Sequence, residues 1–296
     1  MNKLTRWQFA GAIITKIQEQ ESKDLSGLFL FPQWNKAQLA GIADRLTTGN
    51  QDLDHGTVAL STHSWLIQRG EQVIIIDTAA GNDKERPGNP KFHHMQTHWM
   101  ECLLQTGITP QQVTAVLMTH LHVDHVGWNT LKTNGGWQPA FPNARYYFSR
   151  QEREFYSTDS NVRPPSRGAL QDSVLPVIHA GLATEITEQD QQILDGITVH
   201  RTPGHSIDHY SFSFTAGGET ALFPGDVMHH PLQIALPEWN SVFCEESDKA
   251  LESRRSILEL AARPHTMVFS SHFPASSAGQ IIRDPRGLLW HPANQE

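Results

Sequence analysis

The chain is expected to adopt a mixed α+β fold. Three observations predict it. Short apolar runs bounded by turn residues recur along the chain, the pattern of buried strands. An amphipathic helical stretch covers about Asp248 to Ala262, with Leu251, Ile257, Leu258 and Leu260 apolar and Ser247 placed to cap it. Residues with metal-ligand chemistry stand directly after four of the apolar runs. In layered folds the rim at the strand C-termini is where sites are built.

Length and composition set the bounds. A chain of 296 residues can bury a large core, as one α/β domain or two smaller ones. A hydrophobic content of 38% and a charged content of 18% fit a globular protein. The formal charge of −8 offers no footprint for nucleic acid or an anionic membrane. Two cysteines, Cys102 and Cys244, make no disulfide scaffold and fit a reducing compartment, so a cytoplasmic location is expected. No apolar run reaches the length of a membrane span. The patch Phe9 to Ile14 is broken by Thr15-Lys16 with no cleavage site after it, so it reads as a strand and not a signal peptide.

In chain order, Trp7 to Ile17 alternates as an edge strand or hairpin arm. Leu28 to Phe31, with Trp34, is either core or one wall of a pocket. Lys36 to Asp54 is polar and reads as irregular. Thr57 to Gln68 is a strand, Gly70-Glu71 a turn, and Gln72 to Thr78 a strand buried on both faces that ends in Asp77. A carboxylate there either caps a turn or holds a ligand histidine in one tautomer. Gly81 to Lys91 is a loop, and His93, His94 and His98 lie at the surface before a helix over about Gln96 to Gln105. Thr109-Pro110-Gln111-Gln112 carries the capping-box signature of a helix start. After a turn at Asn134-Gly135-Gly136, a strand is expected at Arg145 to Phe148, a helix from Gln151, a loop over Asn161 to Gly168 and a helix over Val174 to Ala183.

The ligand-type residues are concentrated where chance would not put them. Ala115 to Met118 is a buried strand that runs into His120, His122, Asp124 and His125, an H-x-H-x-D-H pattern. Alternate residues of an extended chain point the same way, so His120 and His122 can grip one ion. Asp124 and His125 follow as the chain turns and can reach a second. Neutral imidazole and carboxylate suit zinc and similar divalent metals. Three later strands end likewise: Ile197 to His200 before Thr-Pro-Gly-His205, Thr220 to Phe223 before Pro-Gly-Asp226, and Thr266 to Ser270 before Ser-His272. Seven candidate ligands suffice for two metals.

With these residues in view, the chain resembles the metallo-β-lactamase superfamily. The H-x-H-x-D-H signature, His205, Asp226 and His272 match the family's ligand positions, and Asp77 stands at its strand-Asp-Thr position. The resemblance covers about 57–275 and implies one domain over 1–296, an αββα sandwich of two mixed sheets flanked by helices. It implies two divalent ions, zinc first, with manganese, cobalt or iron tolerated. His120, His122 and His205 would hold one, Asp124, His125 and His272 the other, and Asp226 would bridge them. It also favours the ligand-holding role for Asp77.

Spacing narrows the branch. The 80 residues from His125 to His205, the 21 to Asp226 and the 46 to His272 resemble the methyl parathion hydrolase branch, a relative of the quorum-quenching lactonases. Phe141-Pro142-Asn143-Ala144 and Ser271-His272-Phe273-Pro274 resemble it too. β-Lactamases of the best-known subclass carry cysteine where Asp226 stands, and nuclease members carry an added domain for which this chain has no room. Two departures matter. Many lactonases place tyrosine three residues after the bridging aspartate, where this chain has His229, and relatives often have glycine where it has Asp208. His209 then reads as a histidine that supports a ligand or packs, and not as a ligand itself.

The expected activity is dinuclear hydrolysis of a lactone, an ester or a phosphotriester by a bridging hydroxide. Asp124 would relay a proton and His229 would act as a catalytic group. The expected partner is a small neutral or apolar substrate, with no nucleic acid and no membrane, in a homodimer by analogy. Two other readings are a thioester hydrolase like glyoxalase II, for which no basic cluster is seen, and a metal-holding sensor without turnover.

Overall fold

The computed structural model describes residues 4–9, 11–187 and 192–293. Ala10, inside the expected opening strand, lies outside the described residues. The chain begins with β1 (Thr5–Phe9), β2 (Ala12–Ser26), α1 (Gly27–Leu30), α2 (Lys36–Ala40), β3 (Gln51–Asp52), β4 (Thr57–Arg69) and β5 (Gln72–Ile76). It continues with α3 (Trp99–Gln105), β6 (Ala115–Leu117), β7 (Thr130–Thr133), β8 (Gly136–Pro139), β9 (Arg145–Ser149), α4 (Arg150–Tyr156), α5 (Leu175–His179) and β10 (Ala183–Ile186). The remainder is β11 (Gln192–Leu194), β12 (Ile197–Arg201), β13 (Tyr210–Ala216), β14 (Glu219–Phe223), α6 (Leu232–Ala235), α7 (Ser247–Ala261), β15 (Thr266–Phe269), β16 (Ala278–Asp284) and β17 (Gly287–Pro292). Two compact units result, one of Met1–Gln20 with Thr62–Glu188 and one of Glu21–Ser61 with Gln189–Glu296.

The first unit is built on a mixed sheet ordered β1-β2-β4-β5-β6-β9-β10. The opening stretch forms the expected hairpin, with Trp7 opposite Ile14. Strands β5, β6, β9 and β10 run parallel, which aligns their C-terminal ends. The apolar run of β5 is buried on both faces, as its composition demands. On one face Ile75 and Val116 pack with Trp99 and Leu103 of α3, Tyr156 of α4 and Val177 of α5.

The second unit holds another mixed sheet, ordered β11-β12-β13-β14-β15-β16-β17. Only β14 and β15 are parallel in it. Ile257, Leu258 and Ala261 of α7 close a core with Leu222, Val268, Ile281 and Trp290. A smaller cluster gathers Leu30, Phe31, Leu39, Val58, Leu232 and Trp239. Two mixed sheets with helices against them place the chain in the α+β class.

Several local expectations need correction. Lys36 to Asp54 is not irregular: Asn35 accepts from the amides of Ala37 and Gln38 and starts α2, and β3 pairs with β4. The helix expected over Val174 to Ala183 ends at His179, because Gly181 turns the chain at φ 72° and Ala183 opens β10. The capping box at Thr109 forms, but it closes a single 3-10 turn over Pro110–Gln112, since Val113 is already extended toward β6. Ser247 is the first residue of α7 and not its cap; Glu246 holds that position without a side-chain bond. Helix α3 starts at Trp99, three residues later than expected.

One glycine sets the approach of α7 to the turn that carries His205. Gly204 has φ +124°, and a Cβ on it would lie 2.0 Å from the Ala250 nitrogen. The amides of Glu245 and Glu246 donate to the carbonyls of His205 and Gly204, at 3.0 and 2.9 Å. Ser253 donates to the Pro203 carbonyl at 2.7 Å. Gly204→Ala is therefore expected to cost about 3 kcal/mol in urea denaturation, at the upper end of overpacking penalties. A loss below about 0.5 kcal/mol would show that α7 yields to the turn.

Candidate metal centre

The expected ligands are carried by both units. In the first unit β6 delivers the chain to Thr119 and His120. The ring of His120 stands 4.5 Å from that of His122 and 4.1 Å from that of His125, centroid to centroid. Asp124 is half-buried, its Oδ1 3.8 Å from His125 Nε2. The structure thus brings together all four residues of the H-x-H-x-D-H pattern. His93, His94 and His98 are exposed, as expected.

Asp77 organises this cluster. Its carboxylate accepts from the Thr119 amide at 2.8 Å and the Thr119 hydroxyl at 2.9 Å. His125 Nδ1 lies 2.9 Å from the same carboxylate, and His120 Nδ1 lies 3.0 Å from the Thr119 hydroxyl oxygen. A carboxylate only accepts, so His125 donates through Nδ1. The Thr119 hydroxyl spends its proton on Asp77 and receives one from His120 Nδ1. Both rings are thereby set as tautomers whose Nε2 carries a lone pair for a metal. Of the two roles open for Asp77 in the sequence, holding ligand histidines is the one its contacts fit.

His122 is oriented the other way. Its Nε2 lies 3.0 Å from the Tyr156 hydroxyl, at the end of α4, so its Nδ1 is the atom directed to a ligand role. The loop backbone is held as well: the Leu121 amide donates to the buried Glu152 carboxylate at 3.2 Å and the Val123 amide to Ser166 at 3.3 Å. Sequence reading missed Tyr156, Glu152 and Ser166. They lie 31 to 43 residues from their partners, with no spacing rule to connect them.

In the second unit three imidazoles converge on the buried carboxylate of Asp226. His205 Nε2 is 3.3 Å from Oδ2, His229 Nε2 is 3.3 Å from the same oxygen, and His272 Nε2 is 3.0 Å from Oδ1. His272 Nδ1 donates to the Ser61 carbonyl at 2.9 Å, which leaves a lone pair on the Nε2 that faces Asp226. That lone pair and the carboxylate repel one another unless a proton or a metal cation stands between them. Ligand atoms of His205, Asp226 and His229 lie within 4.8 Å of one another. The donor set, its tautomers and its convergence therefore fit divalent metal ions of the zinc type.

The surroundings of Asp226 are equally specified. His209, expected either to support a ligand or to pack, accepts from the Asp226 amide through Nε2 at 3.0 Å, and its Nδ1 lies 2.8 Å from the Thr202 hydroxyl. Asp208 pairs with Arg201 and accepts from Tyr210 at 3.0 Å, away from the ligand group. Arg254 on α7 is fully buried and donates to the carbonyls of Val227 at 2.9 Å and Pro237 at 2.7 Å and to Asn240 at 3.0 Å. Burial pushes its guanidinium down to about 10. It clamps the segment that carries His229, and sequence reading missed it.

The adjacent histidines differ. His230 is buried, and burial lowers it to about 4. Its Nδ1 accepts from Leu232 at 3.2 Å and its Nε2 donates to the Asn50 carbonyl at 3.0 Å, so it caps the loop. The His229 ring stacks on that of His272, with centroids 5.6 Å apart and planes at 9°. Its backbone amide donates to Gln233 at 2.6 Å, and burial holds its imidazole toward the neutral form.

Comparison with known proteins accords with this geometry. The sequence pattern of the metallo-beta-lactamase superfamily matches residues 57–272. The chain is 29% identical over 246 residues to an N-acyl homoserine lactonase of Bacillus cereus, covering 79% of this chain and 87% of that one. It is 23% identical over 164 residues to a hydroxyacylglutathione hydrolase of Haemophilus ducreyi, covering 55% of this chain and 48% of that one. Among solved structures, the hydrolase AbOPH of the β-lactamase superfamily aligns with TM-score 0.81 at 22% identity, over 100% of this chain and 99% of that one. The dizinc quorum-quenching lactonase AidC, solved with a product, aligns with TM-score 0.78 at 18% identity, over 99% and 98%. The pattern match spans well over half of the sequence, so the chain belongs to the metallo-β-lactamase superfamily, as one of its hydrolases.

Proposed function

We propose that this hydrolase uses two divalent metal ions, zinc first, to open lactones or to cleave esters or phosphotriesters. The observation that carries the reading is the convergence of His205, His229 and His272 on Asp226, at 3.0–3.3 Å. In this reading His120, His122 and His205 would hold one ion, Asp124, His125 and His272 would hold the other, and Asp226 would serve both. When bound, two such ions supply a hydroxide nucleophile near neutral pH and polarise the carbonyl or phosphoryl oxygen under attack.

The chain's own residues supply the rest. Asp77 keeps His120 and His125 in the tautomers that present Nε2. Asp124 accepts the proton released as the nucleophile adds. His229, neutral at rest, takes up the relayed proton and delivers it to the leaving group.

An apolar wall in the second unit supports a neutral, partly apolar substrate. The Phe243 ring lies 6.0 Å from that of His229 and 5.9 Å from that of Phe29. Leu28, Phe29 and Val242 are 61%, 52% and 39% exposed, unusual for large apolar groups. The run Leu28 to Phe31 thus divides: Leu30 and Phe31 are core, while Leu28 and Phe29 face outward. An acyl or aryl group of the substrate would lie along Phe243 and Phe29. No helix among the described residues is long and apolar enough to cross a membrane.

Four outcomes follow from this reading. Metal analysis should give two ions per chain, and Asp226→Ala should lower both metal content and melting temperature, because metal binding is coupled to folding. Lactones, p-nitrophenyl acetate, paraoxon and S-lactoylglutathione should be assayed with and without chelator; turnover that survives metal stripping would sink the proposal. His229→Ala should keep its metal and lose roughly 10²-fold in rate on substrates with poor leaving groups, and less on p-nitrophenyl esters. Loss of a metal ion from that variant would make His229 a ligand. Phe243→Ala should raise KM about tenfold for long-chain acyl lactones, the loss expected from one aromatic contact, and hardly at all for short-chain ones. Equal effects on both would detach Phe243 from substrate binding.

A further inference from the structure

We infer that Glu19, on β2, is a positioning residue for the metal-ligand loop, acting through the turn that follows Asp77 and through Trp128. The inference rests on the metal reading above for its consequence but not for its geometry. Four donors meet this one carboxylate. The Ala80 amide donates to Oε2 at 2.8 Å and the Gly81 amide to Oε1 at 3.1 Å. The Trp128 indole N–H donates to Oε1 at 2.7 Å, and the Thr97 hydroxyl lies 3.4 Å from the same oxygen.

The turn that Glu19 grips is costly. Asp77 and Ala79 have φ of 54° and 48°, and Gly81 has φ of 81°. A non-glycine residue persists in the left-handed region only where its surroundings hold it there. Charge-assisted bonds to the Ala80 and Gly81 amides offset that cost and hold the turn in place. What the strain achieves is the aim of Asp77, whose carboxylate sets the tautomers of His120 and His125.

The same carboxylate reaches the far side of the ligand loop. Trp128 follows His125 by three residues, and its ring stacks on Trp99 at 5.3 Å and 16°. Between these residues the backbones touch: a Cβ on Gly127 would lie 1.9 Å from the carbonyl carbon of Ala80. The Gly127 amide donates to the Ala79 carbonyl at 2.7 Å, the Trp128 amide to Thr78 at 2.9 Å, and the Thr78 amide to His125 at 2.7 Å. Glu19 therefore pins both the turn carrying Asp77 and the segment that leaves His125. Its loss would let the two slide, and the Asp77–His125 hydrogen bond would loosen without any ligand having been removed. Desolvation raises the Glu19 carboxyl to about 7, while the bonds from Ala80, Trp128 and Gly81 act in the opposite direction and favour the ionised form.

The test compares wild type with Glu19→Gln, which keeps the shape but turns an N–H₂ toward the amide donors. In the metal-free protein, NMR of the His125 Nδ1 proton should show a protected signal in wild type and a broadened, faster-exchanging one in the variant. Zinc affinity, read by competition with a chromophoric chelator, should fall by about tenfold, the usual loss when the support of a ligand histidine is disturbed. Asp77→Asn should change both readouts in the same direction. If Glu19→Gln does not fold, Trp128→Phe removes one donor, keeps the ring stack, and should give a smaller loss of the same kind. A folded variant with a lower melting temperature but an unchanged His125 proton and unchanged zinc affinity would overturn the inference and leave Glu19 a stabilising contact only. A wild-type chain that binds no zinc would instead overturn the metal reading, while the His125 proton would still report on Glu19.

Discussion

A neutral imidazole has one donor nitrogen and one acceptor nitrogen, and it can hold a cation only with the acceptor. Three histidines of the candidate centre obey this constraint. His125 gives its proton to Asp77, His120 to Thr119, and His272 to the Ser61 carbonyl. These partners are as necessary as the ligands, because a ring free to flip would present a proton where a metal should be. Asp77 serves two rings at once, and that explains why the chain tolerates a strained aspartate at the tip of β5.

The fold brings these partners to the right places by aligning strand ends. Parallel pairing of β5 with β6 sets Asp77 beside Thr119, since Ile76 pairs with Leu117. In the second unit, β14 pairs with β15 in parallel, which brings the tips that carry Asp226 and His272 to the same edge. His209 and Arg254 then hold the chain before and after Asp226. The backbone around the ligands is therefore specified by buried hydrogen bonds, and the loops that carry them are loops only in outline.

The two adjacent histidines after Asp226 illustrate how burial assigns roles. His230 has both nitrogens engaged with backbone and closes the turn before Pro231. His229 faces Asp226 and stacks on His272 and, at its other edge, meets Phe243. Neighbours in sequence thus serve different ends because the bend before α6 directs their side chains to different partners.

The candidate ligand set was legible in the sequence because its residues are dense and follow apolar strands. H-x-H-x-D-H after Ala115–Met118 needs no tertiary knowledge, and Asp226 and His272 repeat the strand-then-ligand rule. The α+β class, the opening hairpin and the buried β5 were legible from periodicity for the same reason: they are local patterns. The partners were not. Tyr156, Glu152, Arg254 and Glu19 meet the centre's loops across 27 to 109 residues, and nothing in the local pattern of a glutamate or an arginine distinguishes a surface charge from a buried clamp. Helix ends were also misplaced where a later element took over the chain, as at Gly181 before β10 and Val113 before β6. Local propensity is worth tenths of a kcal/mol per residue, and strand pairing and burial outweigh it. The sequence by itself determined which atoms are available to hold a metal. Only the tertiary structure decided which nitrogen of each ring is offered and what holds it there, because that depends on donors and acceptors brought together from distant parts of the chain.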